Sequence, residues 1–330
     1  MHEQVIYFGA PGTGKSYLIK EKLKNINSTK IFRVTIHPEF LYTDFVGQLI
    51  PNTSSTGSSF IFKEGPFTKA LMEAYNDSSK DVYLVLEELS RGNVSAIFGD
   101  IFQLLDRDEH FVSKYPIRNK DISDKIPTLL TDEVVLPSNF NILCTVNMND
   151  QSVFPMDTAF KRRFDWKYIS TEPALKTSLD EVDTKLNNPK VSIAMDNDRN
   201  SDIDTNWLSF YTTLNSFITD KQKGLGKNED KQVGQFFLYF SPKVIEDSYS
   251  TESKVSSLAA EKINDEIKNK LLNYLWQDVQ GQTFFNDTVS LFAENINSFD
   301  DLYKLYGKDK VFSDIFIDEF LKENLNKYKY

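Results

Sequence analysis

The sequence predicts an α/β fold on a parallel sheet, followed by a mainly helical second domain, and three observations carry that expectation. In the first half, apolar runs rich in β-branched and aromatic residues alternate with helix-length segments. A glycine-rich stretch, GAPGTGKS (9–16), joins the first such run to the first helical segment. After about Ser170 the strand-like runs stop and apolar residues recur at helical spacing.

The predicted strands are VIYFG (5–9), FRVTI (32–36), VYLVLEE (82–88), NILCTVN (141–147) and WKYIS (166–170). They are apolar almost throughout rather than alternating, the pattern of strands covered on both faces, and therefore of a parallel sheet. SYLIKEKLKN follows the first strand and FTKALMEAYN precedes the third, both with helical periodicity. PNTSSTGSSF (51–60) reads as a serine-rich loop insertion, and SKYPIRNKDISDKIP (113–127), with the residues up to Leu136, as a second loop. Beyond Ser170, TEPALKTSLDEVDTKLNNPK and NDRNSDIDTN are polar and loop-like. NWLSFYTTLNSFITD, KVSSLAAEKINDEIKNKLLNYLW and DIFIDEFLKENLNKY then read as helices. The expected domains are 1–170, which would bind the nucleotide, and 171–330, with no internal repeat.

Composition narrows the function classes. The 330 residues are 40% apolar with 26 phenylalanines, so the chain folds rather than staying disordered. A net charge of −10 gives little support for direct gripping of DNA by the chain's own surface. The single cysteine, Cys144, rules out an intramolecular disulfide and points to a reducing, cytoplasmic setting. The N-terminal residues lack a basic region followed by an apolar core, and no stretch approaches the length of a membrane span, so no membrane association is expected. Three scattered histidines, His37 among them, make no metal cluster.

GAPGTGKS fits the pattern G-x-x-x-x-G-K-[ST] in its required context, after a strand and opening a helix. Gly9, Gly12 and Gly14 let the backbone curl, so that N–H groups of the segment Gly9, Ala10, Pro11, Gly12, Thr13 and Gly14 face phosphate oxygens. Pro11 has no N–H of its own and shapes the turn. Lys15 would reach the β- and γ-phosphates and the Ser16 hydroxyl would ligate Mg²⁺, with Tyr17 next to them at the start of the helix. The third strand ends in two carboxylates: Glu87, placed to hold Mg²⁺ through water, and Glu88, placed to polarise an attacking water. Ligands of parallel sheets sit at the carboxyl ends of the strands. A fourth strand ending in TVN would therefore deliver Asn147 to the γ-phosphate beside Glu88.

Three segments together, GAPGTGKS, LEELSRGNVSAIFGDIFQLLD and TVNMNDQSVFPMDTAFKRRF, resemble the AAA+ motor subunit of McrBC-type modification-dependent restriction systems. HPEFLYTDFVGQLIP (37–51), LNSFI (214–218) and QVGQFFLYF (232–240) extend the likeness from Val5 to about Trp276. The resemblance puts Asn147 on the family's signature asparagine and Asp150 on its aspartate, whereas the arginine that usually follows is Gln151 here. Arg162 and Arg163 fall on the family's arginine pair, which implies that a guanidinium from one subunit reaches the γ-phosphate held by the next. Arg91 and Asn93 match a segment beyond the acid pair, where they would support the pocket or contact a neighbouring subunit. Most acid motifs of this kind have aspartate where Glu87 stands.

The same resemblance implies an AAA+ P-loop NTPase with a five-stranded parallel sheet in the order 5-1-4-3-2, flanked by helices and followed by a helical lid. In that lid Gly234 and its aromatic neighbours would face the nucleotide side. It also implies a homo-oligomeric ring, commonly a hexamer, with GTP as substrate, although AAA+ proteins in general use ATP and no guanine-reading N-K-x-D motif is present. The implied partner is an McrC-like protein that stimulates hydrolysis and carries the nuclease, and no nuclease carboxylate–lysine constellation stands out in this chain. The phosphate loop begins at residue 9, so the reading expects either a motor fragment or DNA contact through another domain or subunit. Two alternatives stay open: an ATP-driven remodeller, and a nucleotide-gated scaffold that does not hydrolyse.

Overall fold

A computed structural model describes residues 2–54, 57–147, 154–174, 186–195, 202–280, 289–325 and 327–328. Contacts group the chain into two units, Met1–Gly9 with Lys15–Ile169, and Ala10–Gly14 with Ser170–Tyr330.

The first unit opens with strand β1 (Gln4–Gly9) and helix α1 (Lys15–Lys22), followed by β2 (Ile31–Thr35) and the short helix α2 (Tyr42–Phe45). An antiparallel hairpin, β3 (Gly47–Ser54) and β4 (Gly57–Glu64), leads into helix α3 (Pro66–Asn76) and β5 (Val82–Glu87). After helix α4 (Val94–Phe98) come β6 (Ile117–Arg118), α5 (Lys120–Ser123) and β7 (Glu133–Val134), then β8 (Phe140–Asn147), α6 (Thr158–Lys161) and β9 (Asp165–Tyr168). The main sheet runs β2-β5-β8-β1-β9, all parallel. Counting only its own five strands in chain order and reading from β9, that is the 5-1-4-3-2 order of the AAA+ resemblance.

Two apolar clusters lie on the two faces of this sheet, which is why its strands carry so few polar residues. One gathers Ile6, Leu84, Leu86, Ile142 and Cys144 with aromatic residues such as Phe45, Phe67, Phe98 and Phe160. The other gathers Val5, Tyr7, Val85 and Leu143 with Ile19 and Leu23 of the first helical segment. Alternate residues along each strand therefore face opposite layers, as the period of two requires. The central strand β8 also carries a buried polar side chain, Asn141. Its Oδ1 accepts from the Glu3 N–H at 2.8 Å, and its Nδ2 donates to the carbonyls of Val82 at 3.3 Å and Asn139 at 3.1 Å.

Two expectations are corrected here. In the serine-rich stretch expected as a loop insertion over 51–60, residues 51–54 and 57–60 are strand, because their backbone groups pair across the ladder that runs from Gly47–Glu64 to Ser54–Gly57. The loop expected over 113–127 and up to Leu136 contains the small β6–β7 pair and α5, whose first turn is capped by the Asn119 carboxamide.

The second unit has a helix α7 (Trp207–Thr219) that is buried except at Ser216 and Thr219, followed by α8 (Pro242–Ser248) and α9 (Ser253–Glu266), the last continuing through wider π-type turns to Gln280. A small antiparallel pair, β10 (Lys190–Ile193) and β11 (Ile203–Asn206), is also present, and its second strand lies in NDRNSDIDTN, which the sequence reads as loop. Trp207, Phe210, Phe217, Phe312 and Phe316 pack edge to face or tilted at its centre. Among the described residues no helix is long and apolar enough to cross a membrane.

Candidate active site

β1 ends at Gly9, whose register partner on β8 is Asn147, so the start of the glycine-rich turn and the signature asparagine emerge side by side. A side chain at Gly9 could not fit, since its Cβ would lie 2.4 Å from the Ile169 carbonyl oxygen. Gly12 and Gly14 have φ of 77° and 86°, the left-handed region that other residues enter only at a cost. The Thr13 hydroxyl donates to the Ala10 carbonyl at 3.1 Å, bracing the turn from within. Lys15 and Ser16 then begin α1, and Tyr17, beside them, is 60% exposed.

Lys15 is buried, and its ammonium donates to the Gly9 carbonyl at 3.2 Å. Burial pulls its pKa down to about 8, against the opposing attraction of Glu88 and Glu87.

Glu87 is 8% exposed and engaged on both oxygens. Oε2 accepts from the Ser16 hydroxyl at 2.8 Å and from the Thr145 hydroxyl at 2.7 Å, and the Arg33 guanidinium pairs with Oε1. Glutamate is long enough here to bring its carboxylate to the Ser16 hydroxyl, which answers the departure from aspartate at this position. A serine hydroxyl and a carboxylate oxygen meeting at this distance form the hard-oxygen donor pair that suits Mg²⁺, so the residues present fit that ion. Among the described residues no group of three or more His, Cys, Asp or Glu could hold a metal.

Glu88 has left the strand conformation, with φ of 57° and ψ of 42°, and its N–H donates to the Thr145 hydroxyl at 3.0 Å. This turn of the backbone sends successive carboxylates, Glu87 and Glu88, to different partners. The Asn147 amide donates to both Glu88 oxygens at 2.9 Å. Arg91 lies 3.4 Å from Glu88 Oε2, while the Asn93 side chain caps α4 by accepting from the Ala96 N–H at 3.2 Å. Asp150 and Gln151 lie outside the described residues.

The two arginines at the end of α6 part company. Arg163 donates to Asp106 at 2.5 Å and to the Ala159 carbonyl at 2.7 Å, and its guanidinium sits 4.0 Å from the Phe102 ring centre. Arg162 is exposed and makes no hydrogen bond or ion pair with its side chain among the described residues. Two residues of the site were missed from sequence, Arg33 and Thr145. Arg33 could have been noticed as a lone cation inside the apolar run FRVTI; Thr145 is an ordinary β-branched strand residue and carried no signal.

Residues 4–164 match the AAA domain family, dynein-related subfamily. The chain is similar to the type II restriction enzyme BsuMI component YdiS of Bacillus subtilis (strain 168), at 32% identity over 93% of this chain and 87% of that protein. It is also similar to the type IV methyl-directed restriction enzyme EcoKMcrB subunit of Escherichia coli (strain K12), at 26% identity over 53% of this chain and 36% of that protein. A likeness that runs over most of both chains in the first case, together with the AAA domain match and the similarity to the second protein, makes this chain a member of the McrB-like family of AAA+ subunits of restriction systems.

Proposed function

We propose that this chain hydrolyses a nucleoside triphosphate, GTP in preference to ATP, as a ring-forming motor subunit that works with an McrC-like nuclease. The observation that carries hydrolysis, as opposed to binding alone, is the Asn147 amide held 2.9 Å from both oxygens of Glu88. A carboxylate oriented in this way is a general base with its lone pairs aimed, needing only a water between it and a phosphate. The phosphate loop supports the binding half of the reading, with N–H groups and Lys15 for the β- and γ-phosphates.

In the proposed reaction Glu88 takes a proton from the attacking water while Asn147 fixes the carboxylate plane. Lys15, beside the phosphates, balances the charge that develops on them. Ser16 and Glu87 would hold Mg²⁺, which when bound neutralises phosphate-oxygen charge. Arg162 is the arginine we assign to the neighbouring subunit's pocket, because Arg163 is already engaged with Asp106 and Phe102. The match to a subunit of a methyl-directed restriction enzyme supports a restriction system as the setting, while GTP and a nuclease partner rest on the motif resemblance of the sequence.

The deciding experiment measures phosphate release from GTP and from ATP by the purified protein, alone and with the nuclease subunit of the same system. GTP turnover that rises with the partner supports the proposal. Saturable turnover of ATP alone would favour the remodeller, and ring assembly without phosphate release would favour the scaffold.

A further inference from the structure

We infer that the turn Val233–Phe237 is a backbone clasp that sets the shape of the phosphate loop, with Gly234 and Asn215 as positioning residues for nucleoside triphosphate binding; this rests on the reading of Ala10–Gly14 as the phosphate loop. The Gly234 N–H donates to the Pro11 carbonyl and the Phe236 N–H to the Gly12 carbonyl, both at 2.8 Å. With these carbonyls tied back, the N–H groups of the same peptides are left to face the other way, toward an anion.

The fit is close enough to specify glycine on both sides. A Cβ on Gly234 would lie 2.4 Å from the Gly12 carbonyl carbon and from the Thr13 nitrogen, and one on Gly12 would lie 2.3 Å from the Phe237 nitrogen. Gly234 is not among the glycines with positive φ, so its backbone would accept alanine and steric approach to the loop is what excludes a side chain. The turn itself is held from behind by buried amides. Asn215 on α7 pairs with Val233 in both directions, donating to its carbonyl at 2.7 Å and accepting from its N–H at 2.9 Å. Asn187 and Trp207 both donate to the Gln235 carbonyl, at 2.9 and 2.8 Å.

A clasp of this kind predicts that Gly234→Ala damages nucleotide binding without unfolding the chain, since the three atoms nearest to the new methyl all belong to the loop. The experiment titrates mant-GTP and mant-ATP into wild type, Gly234→Ala and Lys15→Ala, alongside thermal melts. Loss of about tenfold or more in affinity for Gly234→Ala at unchanged melting temperature is the expected result, and a smaller loss overturns the clasp. If the variant does not fold, amide exchange on the nucleotide-free wild type decides: slow exchange at Gly234 and Phe236 supports the clasp and unprotected exchange overturns it. Lys15→Ala separates the two ideas. If it abolishes binding while Gly234→Ala does not, the clasp fails and the phosphate loop stands; if it leaves binding intact, the phosphate-loop reading itself fails.

Discussion

At the scale of single residues, the site is a set of paired groups whose removal should have separable effects. Asn147→Ala is expected to lower turnover by about 100-fold or more while leaving nucleotide affinity nearly unchanged, because it orients Glu88 rather than the phosphates. Single-turnover phosphate release against mant-nucleotide titration reads the two apart. Arg162 and Arg163 should differ in kind. Arg163→Ala breaks a mostly buried pair with Asp106 and is expected to cost about 2–4 kcal/mol in denaturant unfolding, whereas Arg162→Ala should melt like wild type and lose turnover. Lys15 ties binding to pH. Its free pKa is about 8 and bound phosphates raise it, so binding takes up protons above that pH and affinity should fall as pH rises through 8. Calorimetry in two buffers of different ionisation heat checks the sign: little proton uptake well below that pH, and measurable uptake above it.

Among the elements, β8 does the most. It pairs with both β5 and β1, buries Cys144, and places Thr145 and Asn147 at the site. Burial raises the Cys144 thiol far above its ordinary range, so the native protein should not react with a thiol reagent until it unfolds. Asn141→Ala, lower on the same strand, leaves the Glu3 N–H and the Val82 carbonyl short of partners and is expected to cost about 1–3 kcal/mol by denaturant titration. Such strands were legible because burial on both faces leaves an unbroken apolar run. The β3–β4 hairpin was not: proline, asparagine, serine and glycine are turn formers by composition, and only the cross-strand ladder makes residues 51–54 and 57–60 strands. The partnership of Glu88 with Asn147 was legible from strand ends in a parallel sheet, while that of Arg33 with Glu87 depends on the adjacency of β2 and β5, which no local pattern encodes.

For the whole molecule, the proposed ring makes a quantitative demand. Lys15→Ala lacks a working pocket but keeps Arg162; Arg162→Ala has the reverse defect. Mixed in equal amounts, the two inactive proteins should regain activity, because about a quarter of randomly formed head-to-tail interfaces would join an intact pocket to an intact guanidinium. Recovery is read as phosphate release against mixing ratio, and a flat zero across all ratios would rule out catalysis shared between subunits. One feature of the sheet bears on such assemblies. Gly9 and Asn147 face each other only when β1 and β8 zip together in step. A shift of one residue would turn the asparagine to the opposite side and bury a different set of side chains. Correct zipping and chemical competence are thus the same event, and a copy that folded out of step would be a silent member of any assembly that admitted it.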